Sequence, residues 1–367
     1  MKKQIFTLLT LLGFAVGVSA QTTYGFDTSG MTESDLTITN GSYNNHKISA
    51  SAESVMTVQV KTYPITFTYD NSGGNKAKEV FTNFASDKAY LQANVKNTTI
   101  TISGLTVGDI IAVDYSGKND SEENIAGTLT GCQADVNNQT SSSKARVVNK
   151  FIATATTASI KETNNGYLLY SITIYHSVEL TLSKDMVSFS DLTNKLSFEN
   201  AATATTGADA LKAYAASAAD GSSVTLTEEV KAPASTGLIL TGSKDAVYKI
   251  AILDNAVSAP TNKLVATDGT STVSSAAVLS AGEFHPFSGG VIAAGKAYLP
   301  YANITGGDPF AGGAHSLEIN FDNGTTAIKA VEAKKAENGV FYNLAGQQVA
   351  QPQKGLYIVN GKKVVIK

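Results

Sequence analysis

Ile65-Thr66-Phe67-Thr68-Tyr69 is the stretch on which the fold turns. Apolar and polar residues alternate strictly, so Ile65, Phe67 and Tyr69 share one face of an extended chain and the two threonines share the other. A helix would scatter the same residues around its axis; a strand half-covered by a core collects them. The pattern recurs in Val55-Met56-Thr57-Val58-Gln59-Val60, in Thr99-Ile100-Thr101-Ile102, and in Ile110-Ile111-Ala112-Val113-Asp114-Tyr115. Threonine, serine, valine, isoleucine, tyrosine and phenylalanine dominate the chain. These residues suit a pleated, half-buried surface, and no long run of Glu, Lys, Leu and Arg at helical spacing competes with them. Clusters such as Asn71-Ser72-Gly73-Gly74 and Gly306-Gly307-Asp308-Pro309 punctuate the apolar runs as turns. The expected fold class is all-β.

Outward from these strands, the sequence divides into five parts. Residues 1–20 combine Lys2 and Lys3, an apolar run over 5–18 and small residues at Val18-Ser19-Ala20, the pattern of a secretory signal peptide cut near Ala20. Gln21 follows, where a bacterial lipoprotein would carry its lipidated cysteine. The rest of the 367-residue chain exceeds one ordinary core, given a prior of about 100–200 residues per domain, so two domains and a tail are expected. The first spans 21–177 and closes on Tyr167-Leu168-Leu169-Tyr170-Ser171-Ile172-Thr173-Ile174-Tyr175, as a sandwich or jelly roll. The second spans 178–322. Within it, residues 208–219 are open to helix through their alanines or to strand through their length and flanking glycines; a strand around 211–215 is the preferred reading. Residues 323–338 turn short and charged and read as a linker. In the tail, 339–367, Asn360-Gly361 between alternating apolar residues predicts a terminal hairpin, because a type I′ turn needs positive φ at both central positions.

Three resemblances follow. The unit running from Gly104 to Tyr115 (a turn, a Gly-Asp pair and a strand), with the closing strand over 168–174, resembles bacterial jelly-roll modules of the carbohydrate-binding kind. Leu211-Lys212-Ala213-Tyr214, the stretch 230–240 and the stretch 292–300 resemble a β domain found beside secretion tails in exported Bacteroidota proteins. The tail resembles the C-terminal sorting domain of the type IX secretion system. The carrying residues are Tyr342, Gly346, Gly355, Tyr357, Gly361, Lys362 and Lys363 within Tyr342-Asn343-Leu344-Ala345-Gly346-Gln347-Gln348-Val349 and Gly355-Leu356-Tyr357-Ile358-Val359-Asn360-Gly361-Lys362-Lys363-Val364. That resemblance implies the type IX machinery as a partner and a destination on the outer surface or beyond. The tail is shorter than full sorting domains, so a small β cap remains its other reading.

The net charge is only −3 and basic residues are scattered, which excludes the electrostatic footprint of a nucleic-acid or anionic-membrane binder. After the signal peptide no stretch approaches the about 20 apolar residues of a membrane-crossing helix. Cys132 is the only cysteine, so no intramolecular disulfide staples the fold, and a buried thiol is expected.

The chain has no Gly-x-Ser-x-Gly elbow, and the histidines at 46, 176, 285 and 315 lack metal-ligand spacing. The glycine pairs at 306–307 and 312–313 lack the Lys-Ser/Thr of a phosphate loop. Glu122 and Glu123, adjacent in an expected charged loop, cannot face each other as a glycosidase pair. No catalytic residue or organic cofactor is expected; calcium alone stays open, through the oxygen ligands of Asp114, Asp120 and Glu122. Sugar binding needs an aromatic platform with polar side chains beside it. The candidates are Tyr43 with Asn44, Asn45 and His46, and Tyr115 with Lys118, Asn119 and Asp120. For each tyrosine the alternative is a partly buried strand residue with its hydroxyl in water. The resulting expectation is a non-catalytic secreted or surface protein that binds glycan or another extracellular ligand through its first domain and is exported by its tail. A structural matrix component and a hydrolase with a cryptic carboxylate pair are the alternatives.

Overall fold

The computed structural model describes residues 23–28, 31–44, 47–50, 55–61, 63–69, 80–81, 91–93, 98–117, 128–141, 145–161 and 167–322, and in the tail 341–342, 348–349, 355–359 and 362–366. Residues 1–20, expected as a signal peptide, residues 323–338, expected as a linker, and the side-chain candidates Asn45, His46, Lys118, Asn119, Asp120 and Glu122 lie outside them, as do Gly346 and Gly361. Two compact units are present, one ending at Phe321 and one beginning at Asp322.

The protein is all-β, with no helix of seven or more residues among those described. The first sandwich packs two antiparallel sheets. One orders Thr23–Asp27, Tyr167–Tyr175, Ile110–Gly117, Val147–Ala153 and Cys132–Ala134, with Leu91–Ala93 also on Tyr167–Tyr175. The other orders Thr128–Thr130, Thr157–Lys161, Thr98–Ser103, Ile65–Tyr69, Met56–Val60 and Leu36–Thr39. Phe67 sits opposite Val58 on one neighbour and Ile100 on the other, so the alternation of each strand falls into register with the next. Phe67, Tyr69 and Ile100 thus meet Ile111, Val113, Leu169 and Ile172 from the facing sheet in one core. Cys132 is buried in the same core.

In residues 177–322 a central sheet is covered on both sides. Its strands run Met186–Phe189, Leu238–Thr241, Lys212–Ala219, Ser223–Glu228 and Glu318–Asp322. Ala213, Ala215, Leu238 and Leu240 face a core closed by the sheet of Ser177–Thr181, Val247–Leu253, Lys195–Ala202 and Lys231–Ala232. Tyr214, Ala216 and Ile239 face a second core, built with Phe284, Leu299 and Leu317. The alanines of Lys212–Ala219 therefore form a strand: it is covered on both faces between two layers, and that packing overrides the helical preference of isolated alanine.

The seam between the two sandwiches explains a departure from simple alternation. Ile110 and Ala112 belong to the face expected to be exposed, yet Ile110–Gly117 is buried on both sides. Ile110 and Ile152 pack on Ala202 and Ala251 of the second sandwich. Polar contacts join the same seam. Ser177 Oγ donates to the Gly108 carbonyl at 2.6 Å, and the Val136 amide to the Thr203 carbonyl at 2.9 Å. His176 Nδ1 lies 2.7 Å from Asp109.

In the tail, Gln348–Val349, Phe341–Tyr342, Gly355–Val359 and Lys362–Ile366 form one antiparallel sheet. Val359 pairs with Lys362, so two residues connect the last strands, the hairpin that Asn360-Gly361 predicts. Tyr342, Gly355, Tyr357, Lys362 and Lys363 all lie on these strands.

Candidate functional site

Of the two aromatic candidates, only Tyr43 reaches the surface. It lies in Gly41–Asn44, paired with Lys47–Ala50, and its half-buried ring leans on the first core. Asn44, the next residue but exposed to solvent, does not line the groove beside the ring. Its place is taken by residues from elsewhere in the chain. Thr32 to Asp35 make a tight turn in which the Asp35 carboxylate accepts the Thr32 amide at 2.7 Å and its hydroxyl at 2.9 Å. The amide bond is the main cause that holds the Asp35 carboxyl below its ordinary pKa. Lys61, at the end of Met56–Val60, donates its amide to the Asp35 carbonyl and its ammonium to the Ser34 carbonyl at 2.7 Å. The result is an open groove of about 480 Å³ lined by Tyr43, Ser42, Glu33, Ser34, Ile38 and Lys61. A ring, hydroxyls, a carboxylate and an ammonium gathered in one shallow groove are the groups that stack on and hydrogen-bond a sugar.

Tyr115 is not a platform. Its ring is fully buried, edge-on to Tyr167 with centroids 6.2 Å apart. Asn149 Nδ2 donates to its hydroxyl at 3.0 Å. The period of two that turns Ile111 and Val113 inward carries Tyr115 with them. Asp114, on the opposite face, is likewise not a free calcium ligand. Arg146 donates to both of its oxygens, Nε to Oδ1 at 2.7 Å and an Nη to Oδ2 at 2.6 Å, while the guanidinium lies 4.3 Å from the centre of the Tyr170 ring. This fork geometry engages both carboxylate oxygens. Among the described residues no group of three or more His, Cys, Asp or Glu side chains is placed to hold a metal.

Glu33, Ser34 and Lys61 escaped the sequence reading. The one local signal was Thr32 with Asp35 three residues on, the signature of a capped turn. Lys61 had none, because only the pairing of Leu36–Thr39 with Met56–Val60 brings it to Ser34, 27 residues away in the chain.

Fold and groove together define an all-β chain of two joined sandwiches followed by a four-stranded β tail. Comparison with protein-family models, with curated proteins and with solved structures finds no match to this chain. No helix among the described residues is long and apolar enough to cross a membrane.

Proposed function

We propose that this is a non-catalytic protein of the cell exterior, which binds glycan through the groove beside Tyr43 and is exported by its C-terminal tail through a type IX secretion system of a Bacteroidota cell. The observation that carries the binding reading is the groove itself: Tyr43 flanked by Glu33, Ser34, Ser42 and Lys61 on a sandwich edge. The reading is supported by what its two walls offer, since the ring meets the C–H face of a sugar while the hydroxyls, carboxylate and ammonium meet its hydroxyls. An open groove of this kind suits an extended chain more than an enclosed small molecule. The export reading rests on the residues that resemble a signal peptide and a sorting domain, and the order of strands in the tail is compatible with it.

The test is a glycan array and a mucin-retention assay with the chain beginning at Gln21, compared with Tyr43→Ala and Lys61→Ala. Retention by the parent chain, reduced about tenfold in Tyr43→Ala, is the expected result; tenfold corresponds to about 1.4 kcal/mol. A parent chain that binds no array glycan and no mucin overturns the glycan reading. Retention unchanged in both variants moves the site away from this groove.

A further inference from the structure

We propose that the unpaired edge of strand Met186–Phe189 is a docking site for an extended peptide that carries carboxylates near its two ends. This strand closes one side of the five-stranded sheet in the second sandwich and pairs only with Leu238–Thr241. The Gly242 amide donates to the Asp185 carbonyl at 3.1 Å, so with the period of two in an antiparallel ladder the inward backbone groups are those of Asp185, Val187 and Phe189. Those of Met186, Ser188 and Ser190 point outward. Ser190 is met there: its amide donates to the Gly295 carbonyl at 3.1 Å and its hydroxyl to the Lys296 carbonyl at 2.8 Å. The edge thus already takes a neighbouring stretch of chain at Ser190. Beside Met186 and Ser188 it is free, since among the described residues no hydrogen bond meets their outward amides and carbonyls.

A groove of about 320 Å³ runs beside this free edge. Met186, Leu279, Phe287, Val291 and Ile292 give it apolar wall, and Val291 is exposed. An extended peptide fits both halves of the surface: its backbone supplies the amides and carbonyls that Met186 and Ser188 lack, and its alternate side chains enter the groove. A sugar offers no amides at the strand repeat. Charge selects among peptides. Lys184 lies two residues before Met186, Lys296 is bonded to Ser190 at the other end of the free edge, and both lysines line the groove. Among the described residues no acidic side chain lines it, and neither lysine has an ion-pair partner. Asp185, the residue between Lys184 and Met186, directs its carboxylate to the Lys244 amide at 2.8 Å. From 184 to 190 an extended chain spans about 20 Å, so a strand of about seven residues with a carboxylate near each end matches the two lysines. A second copy of the chain does not match, because edge-to-edge pairing would bring like charges together, the device by which exposed edges resist self-association.

The experiment titrates the heptapeptide acetyl-Asp-Val-Thr-Val-Thr-Val-Glu amide into the chain beginning at Gln21, near neutral pH, followed by amide chemical-shift mapping and hydrogen exchange. Two control peptides accompany it, one with lysine in place of its Asp and Glu, and one N-methylated at every valine and threonine so that its inner residues cannot donate. Expected are shifts and slowed exchange at the amides of Met186 and Ser188, and affinity at least about tenfold weaker for both controls. Lys184→Glu combined with Lys296→Glu should reverse the preference between the acidic and the basic peptide. Ser188→Pro, which removes an outward N–H but no ladder bond, should weaken the acidic peptide at least about tenfold with an unchanged thermal midpoint; should that variant unfold, the charge reversal decides. Tyr43→Ala should leave peptide binding unchanged, since the groove on the first sandwich is a separate site. The absence of shifts at Met186 and Ser188 overturns the proposal, as do equal affinity for either control and a preference that survives the charge reversal. Pairing of two copies through these amides, or their response to an array glycan in place of the peptide, overturns it as well.

Discussion

Replacing Asp135 by Asn should loosen the seam more than replacing Lys150 by Met, and the two effects should not add. Asp135 is almost fully buried, and Oδ1 accepts the Asn137 amide at 3.1 Å, Asn137 Nδ2 at 3.3 Å and the Thr203 amide at 3.4 Å, the last from the second sandwich. Its other oxygen faces the Lys150 ammonium at 3.6 Å. Breaking a buried ion pair by removing one partner costs about 3–5 kcal/mol, because the other charge is stranded. Two features place this pair at the low end: 18% of the Lys150 side chain stays exposed, and 3.6 Å is longer than a hydrogen bond. Asp135→Asn should therefore cost about 3 kcal/mol. Lys150→Met should cost about 2 kcal/mol, as the carbonyls of Glu199 and Ala201 lose a charged donor but Asp135 keeps its N–H partners. The asymmetry has a second source, since burial is the main cause that lowers the Lys150 pKa and outweighs the attraction of Asp135 and Glu199. The double variant should be less destabilised than the sum of the singles by about 1–2 kcal/mol, measured by urea unfolding followed by far-UV circular dichroism. Additivity within about 0.5 kcal/mol would refute the claim that these two charges interact across the seam.

Further predictions concern other parts of the molecule. Burial pushes the Cys132 thiol up to about 11, so a thiol reagent at pH 8 should label the folded chain slowly and the urea-unfolded chain at once; fast labelling of folded protein contradicts its place in the core. That raised pKa adds stability that is whole below the unfolded thiol's pKa and is lost as pH rises through 11. Burial alone would raise the Asp191 carboxyl, but the bonds from Asn194 and Thr193 outweigh it and hold its pKa low. Its contribution is thus present above the ordinary carboxylate pKa and disappears as pH falls through the lowered value, and Asp191→Asn should flatten the acid limb of a thermal-midpoint titration. Gly131 has φ +69° and a Cβ there would stand 2.1 Å from the Thr157 carbonyl oxygen, so Gly131→Ala should cost at least about 2 kcal/mol by urea unfolding. Deleting 339–367 should leave the thermal unfolding of the sandwiches intact while keeping the chain from the culture medium and outer surface of its native host; undiminished export would refute a sorting role for the tail.

How far the sequence was legible differed by the range of the interaction. Strand and face could be read at Ile65–Tyr69 because each residue's side is set by its immediate neighbours. The terminal hairpin could be read because two residues define its turn. Tyr115 was legible in principle, lying two residues beyond Val113 on the same face, and its burial shows that position on the pleat outweighs the polar residues that follow it. Asp114 was not legible, since its partner Arg146 lies 32 residues away, just before the neighbouring strand Val147–Ala153. Lys212–Ala219 stood at the boundary: its alanines favour helix locally, and the two cores on either side decided for strand.

The sequence by itself determined the all-β class, the strands with clear alternation, the hairpin at the end and the buried thiol, because period, turn chemistry and composition act over a few residues. Only the tertiary structure decided that a second sandwich covers the outer face of Ile110–Gly117, that Lys61 joins Tyr43 in one groove, and that Asp135 and Lys150 meet at the seam. Those facts depend on which distant strands pair and which sheets stack. Pairing and stacking are selected by the burial of whole faces, and no short stretch of the chain contains that information.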